Sequence, residues 1–223
     1  MRAGRTIVVA MASTHHVFLL SPASCHGKRA KMLLRDGASS DLSQRLRGRG
    51  APLADVFSIL SSLYFRGKIA YARAFASPPP GAPGIGVITS SRGFVDPDSV
   101  LTSADMEEFA RTDIGTDSPA YLEALARSAS ALADAVDAST RVVLLGSIAT
   151  GKYVDPLRDL FGSRLVFPIE FVGRGDMSRG GLLLRCAEDG TELEYVPVDD
   201  VPRHGARPPK LVPRRRTRVR DGA

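Results

Sequence analysis

Cys25 and His26 stand side by side, with Lys28 and Arg29 just beyond them. A thiol among positive neighbours has a lowered pKa and becomes a nucleophile, and the imidazole is a candidate acid, base or ligand contact. Ser21 and Ser24 add hydroxyls to this turn. A second turn, Thr89-Ser-Ser-Arg92-Gly93, offers Ser90 and Arg92 and leads into Asp96-Pro-Asp98. Asp-Pro is an ordinary turn starter; on a site rim, Asp96 becomes the best-placed general acid or base. A third turn, Gly146-Ser-Ile-Ala-Thr-Gly151-Lys152, brings Gly146, Ser147 and Lys152. Hydroxyls, backbone N–H groups and cations gathered in this way suit a phosphate or another oxyanion.

Each turn leaves a short apolar run, at 17–20, 85–88 and 142–145, that reads as a buried strand. Ligands of an open α/β sheet bind outside the carboxyl ends of its strands, so three such turns on one rim predict one site. Between the first two runs, Leu53, Val56, Phe57, Leu60, Leu63, Tyr64 and Ile69 repeat at helical spacing, predicting a helix over 52–76 with a break near Gly67. Its Arg66 and Lys68 are either solvated charges near a helix C-terminus or cations turned into the site, and Arg66 is taken as a substrate-binding candidate. Further helices are expected over 102–110 with Ser103 as cap, over 119–136 with Pro119 at the first position, and over 154–161.

Residues 164–168 read as a strand. Residues 182–186 and 192–197 are expected to pair as a hairpin around Asp189-Gly190. The stretch 173–181 carries four glycines, which predicts close backbone approach or a mobile flap. Its Asp176 and Arg179 are candidates for ligand contact. The alternation of strands and helices predicts an α/β fold: a three-layer α/β/α sandwich with a mostly parallel central sheet and an antiparallel edge hairpin.

Gly146-x-x-x-x-Gly151-Lys152 has the spacing of a phosphate-binding loop between strand and helix. Tyr153, however, stands where Ser or Thr would hold Mg²⁺, and no later strand ends in the second metal-binding Asp. A looser anion-binding turn fits better. No spacing of His, Cys, Asp or Glu supports a metal, and no cofactor is expected.

The 223 residues suffice for one domain with a sizeable core, expected over 17–200 after a disordered leader, 1–16. No apolar run approaches the roughly 20 residues of a membrane span, and the expected compartment is the cytoplasm. Two cysteines make no disulfide framework and are read as free thiols. The net charge of +6 is misleading, because eight Lys and Arg lie from Arg203 onward against Asp221 alone. Before them stand 22 basic and 23 acidic residues, a nearly neutral body. The basic tail, 201–223, is expected to be disordered and suited to holding nucleic acid through counterion release.

Four segments together resemble a known group: Leu19-Leu-Ser-Pro-Ala-Ser-Cys-His-Gly-Lys28, Leu63-Tyr-Phe-Arg-Gly-Lys-Ile-Ala-Tyr-Ala72, Val87-Ile-Thr-Ser-Ser-Arg-Gly-Phe-Val-Asp-Pro-Asp98 and Val143-Leu-Leu-Gly-Ser147. They are similar to bacterial domains of unknown function in the uracil-DNA-glycosylase-like superfamily, to the archaeosine synthase C-terminal-type domain and to peroxide-stress YaaA-like proteins. The resemblance covers roughly residues 17–170. It implies a three-layer sandwich and a site acting on a base, nucleoside or nucleic acid. The chain has no His-Pro-Ser motif and no Gly-Gln-Asp-Pro loop, so uracil excision itself is not implied. The expected function is that of an enzyme acting on a nucleotide, nucleoside or modified base. The alternative is a non-catalytic nucleic-acid-binding protein that uses its tail. Oligomeric state is left open.

Overall fold

The computed structural model describes residues 14–213. Residues 1–13, most of the expected leader, and 214–223, the end of the basic tail, lie outside the described residues. The elements run β1 (His16–Leu20), α1 (Lys28–Leu34), α2 (Asp41–Arg47), β2 (Ala51–Pro52), α3 (Leu53–Ser61), α4 (Leu63–Phe75), β3 (Ile85–Ile88), β4 (Phe94–Val95) and β5 (Val100–Leu101). They continue with α5 (Ser103–Arg111), α6 (Pro119–Ala135), β6 (Arg141–Leu145), α7 (Val154–Phe161), β7 (Leu165–Pro168), α8 (Asp176–Asp189) and β8 (Tyr195–Pro197).

Six strands form one sheet in the order β4-β3-β1-β6-β7-β8. β3, β1, β6 and β7 are parallel, and the short β4 and β8 close the two edges antiparallel. The fold is the expected α/β sandwich. Its central strands read as unbroken apolar runs because they are covered on both faces: Phe18, Leu19 and Leu20 of β1 and Val142 to Leu145 of β6 are all buried. Among the helices, α4 packs closely on α8, and α6 on α7. The chain leaves β1 toward β3 on one side of it, and leaves β3 and β6 in the opposite direction across the sheet. Parallel crossovers are right-handed, so these connections lie on opposite faces. A crevice therefore opens between the carboxyl ends of β1 and β6, where the Ser21 amide donates to the Leu145 carbonyl at 3.1 Å.

Several elements differ from the sequence reading. The long helix over 52–76 is two helices, and the break falls at Ser62, whose φ of 53° is positive, and not at Gly67. Thr102, not Ser103, caps α5, in a reciprocal capping box with Asp105. The largest correction is at 182–186, which is no strand but the middle of α8. The edge strand β8 pairs instead with β7, Tyr195 opposite Pro168. The run Leu182-Leu-Leu184, after two glycines, has no period of its own, so its neighbours decide between helix and strand. His15 and His16, placed in a disordered leader by sequence, are fixed: His16 opens β1 and its Nδ1 lies 2.9 Å from a Glu192 oxygen.

After β8 and a short 3-10 turn at Val198–Asp200, the tail from residue 201 on returns to the body without regular structure. Arg203 pairs with Asp155 at 3.4 Å, the Ala206 carbonyl lies against Gly173, and Arg174 donates to the Pro209 carbonyl at 3.3 Å. No helix among the described residues is long and apolar enough to cross a membrane.

Candidate functional site

The turns after β1, β3 and β6 do meet. They enclose a cleft of about 240 Å³ whose walls include Ser24, Cys25 and His26 from the first turn, Ser90 from the second, and Lys152 and Tyr153 from the third. Phe109 and the segment 112–114, at and after the end of α5, complete it. The volume lies just below the roughly 300–1,000 Å³ of drug-sized sites, so it suits a small ligand. Phe109 and Tyr153 belong to its wall but are themselves buried, with Arg92 over the Phe109 ring and Lys152 over the Tyr153 ring. His26 stands opposite Asp113 across the cleft, with Nε2 3.8 Å from a carboxylate oxygen. The imidazole makes His26 a candidate acid–base group on the cleft wall.

The structure separates the candidates that sequence grouped. Cys25 lines the cleft, but its burial pushes the thiol up to about 11, the reverse of the activation expected from its charged neighbours. Those neighbours face elsewhere. Arg29 donates at 3.4 Å to the Ile59 and Leu60 carbonyls at the end of α3, and Lys28 is exposed at the start of α1, off the cleft walls. Arg92 is held by the Asp105 and Glu108 carboxylates and is no free anion-binding cation. Glu108 is lowered below the usual carboxylate range, chiefly by its bond from Arg92.

Asp96 is not on the rim. β4 runs back along β3 with Val95 opposite Val87, so Asp96 points the chain toward the amino ends of the strands. There its carboxylate accepts the Asp98 amide at 2.7 Å, an ordinary Asx turn. Ser90 lines the cleft, although its hydroxyl is donated to the Phe109 carbonyl at 2.8 Å. Ser147 Oγ accepts the Ala149 amide at 3.3 Å and shapes the third turn. Arg66 is exposed on α4.

The residue that sequence left undecided is Lys68, and the structure buries it completely. Its Nζ donates to the Ser21 carbonyl at 2.5 Å and lies 2.8 Å from the Ser21 hydroxyl. Gly146 stands beside them, where any Cβ would come within 3.0 Å of the Ser21 Cβ. The signal was present in the spacing. Lys68 is four residues from Tyr64 and from Ala72, on the apolar stripe of α4, whereas Arg66 falls off it. Burial pulls Lys68 down to about 7, with Asp176 drawing it back up and Arg179 opposing that. Asp176 and Arg179 thus flank Lys68 from α8, and Arg179 donates to the Phe171 and Gly146 carbonyls at 3.0 and 3.4 Å.

The third turn is no nucleoside-triphosphate loop. Asp155 puts a carboxylate in the first turn of α7, where its negative charge opposes a phosphate at that helix end. Among the described residues no group of three or more His, Cys, Asp or Glu could hold a metal ion. Comparisons with protein families, curated proteins and solved structures find no match to this chain.

Proposed function

We propose that the chain is an enzyme-type domain that binds a nucleotide or nucleoside in the strand-end cleft. In this reading the base lies against Phe109 and Tyr153, Lys152 receives a phosphate or another anionic group, and His26, steadied by Asp113, is the acid–base group. The single observation that carries the reading is the composition of one small cleft at the carboxyl ends of β1, β3 and β6. Its wall brings an imidazole and a lysine next to two buried aromatic residues, Phe109 and Tyr153. The resemblance in the strand-end motifs supports the same class of ligand, and Asp96, Cys25 and Arg92 drop out of the chemistry.

Isothermal titration of the full chain with uridine and with uridine 5′-monophosphate, and with the adenosine pair, tests it. The monophosphate of at least one pair is expected to bind about tenfold tighter than its nucleoside, the scale of one charge-assisted contact. Lys152→Ala should remove that difference and leave nucleoside binding in place. If neither nucleosides nor their monophosphates bind, the reading is wrong.

A further inference from the structure

Among the described residues Lys68 is the only Lys, Arg, Asp or Glu that is buried, and the recognition just described does not use it. Buried charges are ordinarily paired, yet no carboxylate is bonded to this one. Both its oxygen partners belong to Ser21. The faces of Tyr64 and Phe65 lie 4.5 and 5.1 Å from Nζ. Ser21 opens the turn that walls the cleft, and the next residue, Pro22, lines it. The Lys68 nitrogen therefore sits one peptide unit beneath the cleft surface, in surroundings that salt screens little. With its proton affinity brought near neutrality by burial, a charge arriving in the cleft acts on it strongly.

We propose that Lys68 is the proton-exchanging group of this site: an anion seated in the cleft draws a proton from solvent on to the Lys68 amine, and the resulting ammonium tightens the hold on that anion. The proposal rests on the reading that the cleft takes an anionic ligand, but it does not need a base there. The charged and titratable groups facing Lys68 are few. Tyr64, on its own helix, is pushed up to about 12 by burial and stays neutral. Tyr153, from the third turn, is also raised by burial. Asp176 and Arg179 on α8 act on it with opposite sign. On the cleft side stand Lys152, the His26–Asp113 pair and Cys25, whose thiol burial keeps protonated. An imidazole is the competing source of any proton exchanged near neutral pH.

The test uses sulfate, which has no proton to exchange in this range. Titration calorimetry of the full chain in two buffers of different ionisation enthalpy gives the protons taken up per sulfate bound. The expected result is uptake of a fraction of a proton near pH 7 to 8, with affinity falling up to about tenfold per pH unit above 7. Lys68→Met should abolish the uptake, and His26→Gln should retain it. Titration of the Lys68 Nζ by NMR in the unaltered chain needs no variant, and its midpoint should move upward when sulfate is added.

A separate check reads the same proton in folding. The fold lacks a proton that the unfolded chain carries between about pH 7 and the ordinary lysine value of 10.5. Stability of the unaltered chain relative to Lys68→Met should accordingly rise with pH across that window. No sulfate binding, no proton uptake, uptake persisting in Lys68→Met, or an unmoved Nζ midpoint would each overturn the proposal. Nucleoside binding that survives such a result leaves the base-binding reading standing, and proton-coupled sulfate binding without nucleoside binding overturns that reading alone.

Discussion

At the scale of single residues, adjacency in the chain misleads about chemistry. Cys25, His26, Lys28 and Arg29 form an activated thiol on paper, but successive residues of a turn point different ways. The thiol faces inward and the cations face solvent or the end of α3. With its pKa pushed up to about 11, Cys25 is a thiol and not a thiolate at neutral pH. On a Cys186→Ser background, its alkylation by iodoacetamide at pH 7.5 should run about a hundredfold or more slower than that of a free cysteine. A rate matching a free cysteine would restore it as a nucleophile. Lys68 is the opposite case: its chemistry comes wholly from where α4 places it. The stripe Tyr64, Lys68, Ala72 made its burial readable. What it would meet there, the carbonyl and hydroxyl of a residue 47 positions earlier, was not.

At the scale of elements, the glycine-rich stretch 173–181 shows why composition alone cannot name a structure. Its four glycines left close backbone approach and a mobile flap both open; from Asp176 on it is helical, and Gly180 serves the close approach. A Cβ on Gly180 would come within 2.6 Å of the Leu63 carbonyl oxygen and 2.7 Å of the Tyr64 Cα, and one on Gly67 within 2.5 Å of the Gly180 carbonyl oxygen. The two helices that flank Lys68 thus cross backbone on backbone. Gly180→Ala should destabilise the fold by about 2 kcal/mol or more in urea denaturation, as overpacking does. Gly181→Ala, whose nearest neighbour would be a Leu211 methyl at 3.5 Å, should be neutral or gain up to about 1 kcal/mol from helix propensity. Equal effects at the two positions would refute the close crossing. The strands at 85–88 and 141–145 were legible because buried parallel strands are plain apolar runs, and α6 because Pro119 and alanines mark it. The partner of β7 was not, because a three-residue edge strand carries too little pattern.

At the scale of the whole molecule, the position of the site follows from topology. Connections leaving β1 and β6 part to opposite faces, and the crevice between them collects loops that are far apart in sequence. The three strand-end turns do converge on one cleft, while Arg92 and Asp96 on them are engaged in contacts within the fold. The net basicity does not set the character of that rim. The body is nearly neutral, and the cleft draws on a few placed groups: Lys152, His26 and, from beneath, Lys68. The most direct measurement of this account is a crystal structure of the chain soaked with uridine or adenosine 5′-monophosphate. The account predicts density in the cleft, the base against Phe109 and Tyr153 and the phosphate within hydrogen-bond distance of Lys152. An empty cleft with the nucleotide ordered elsewhere, such as beside Asp96, would contradict it.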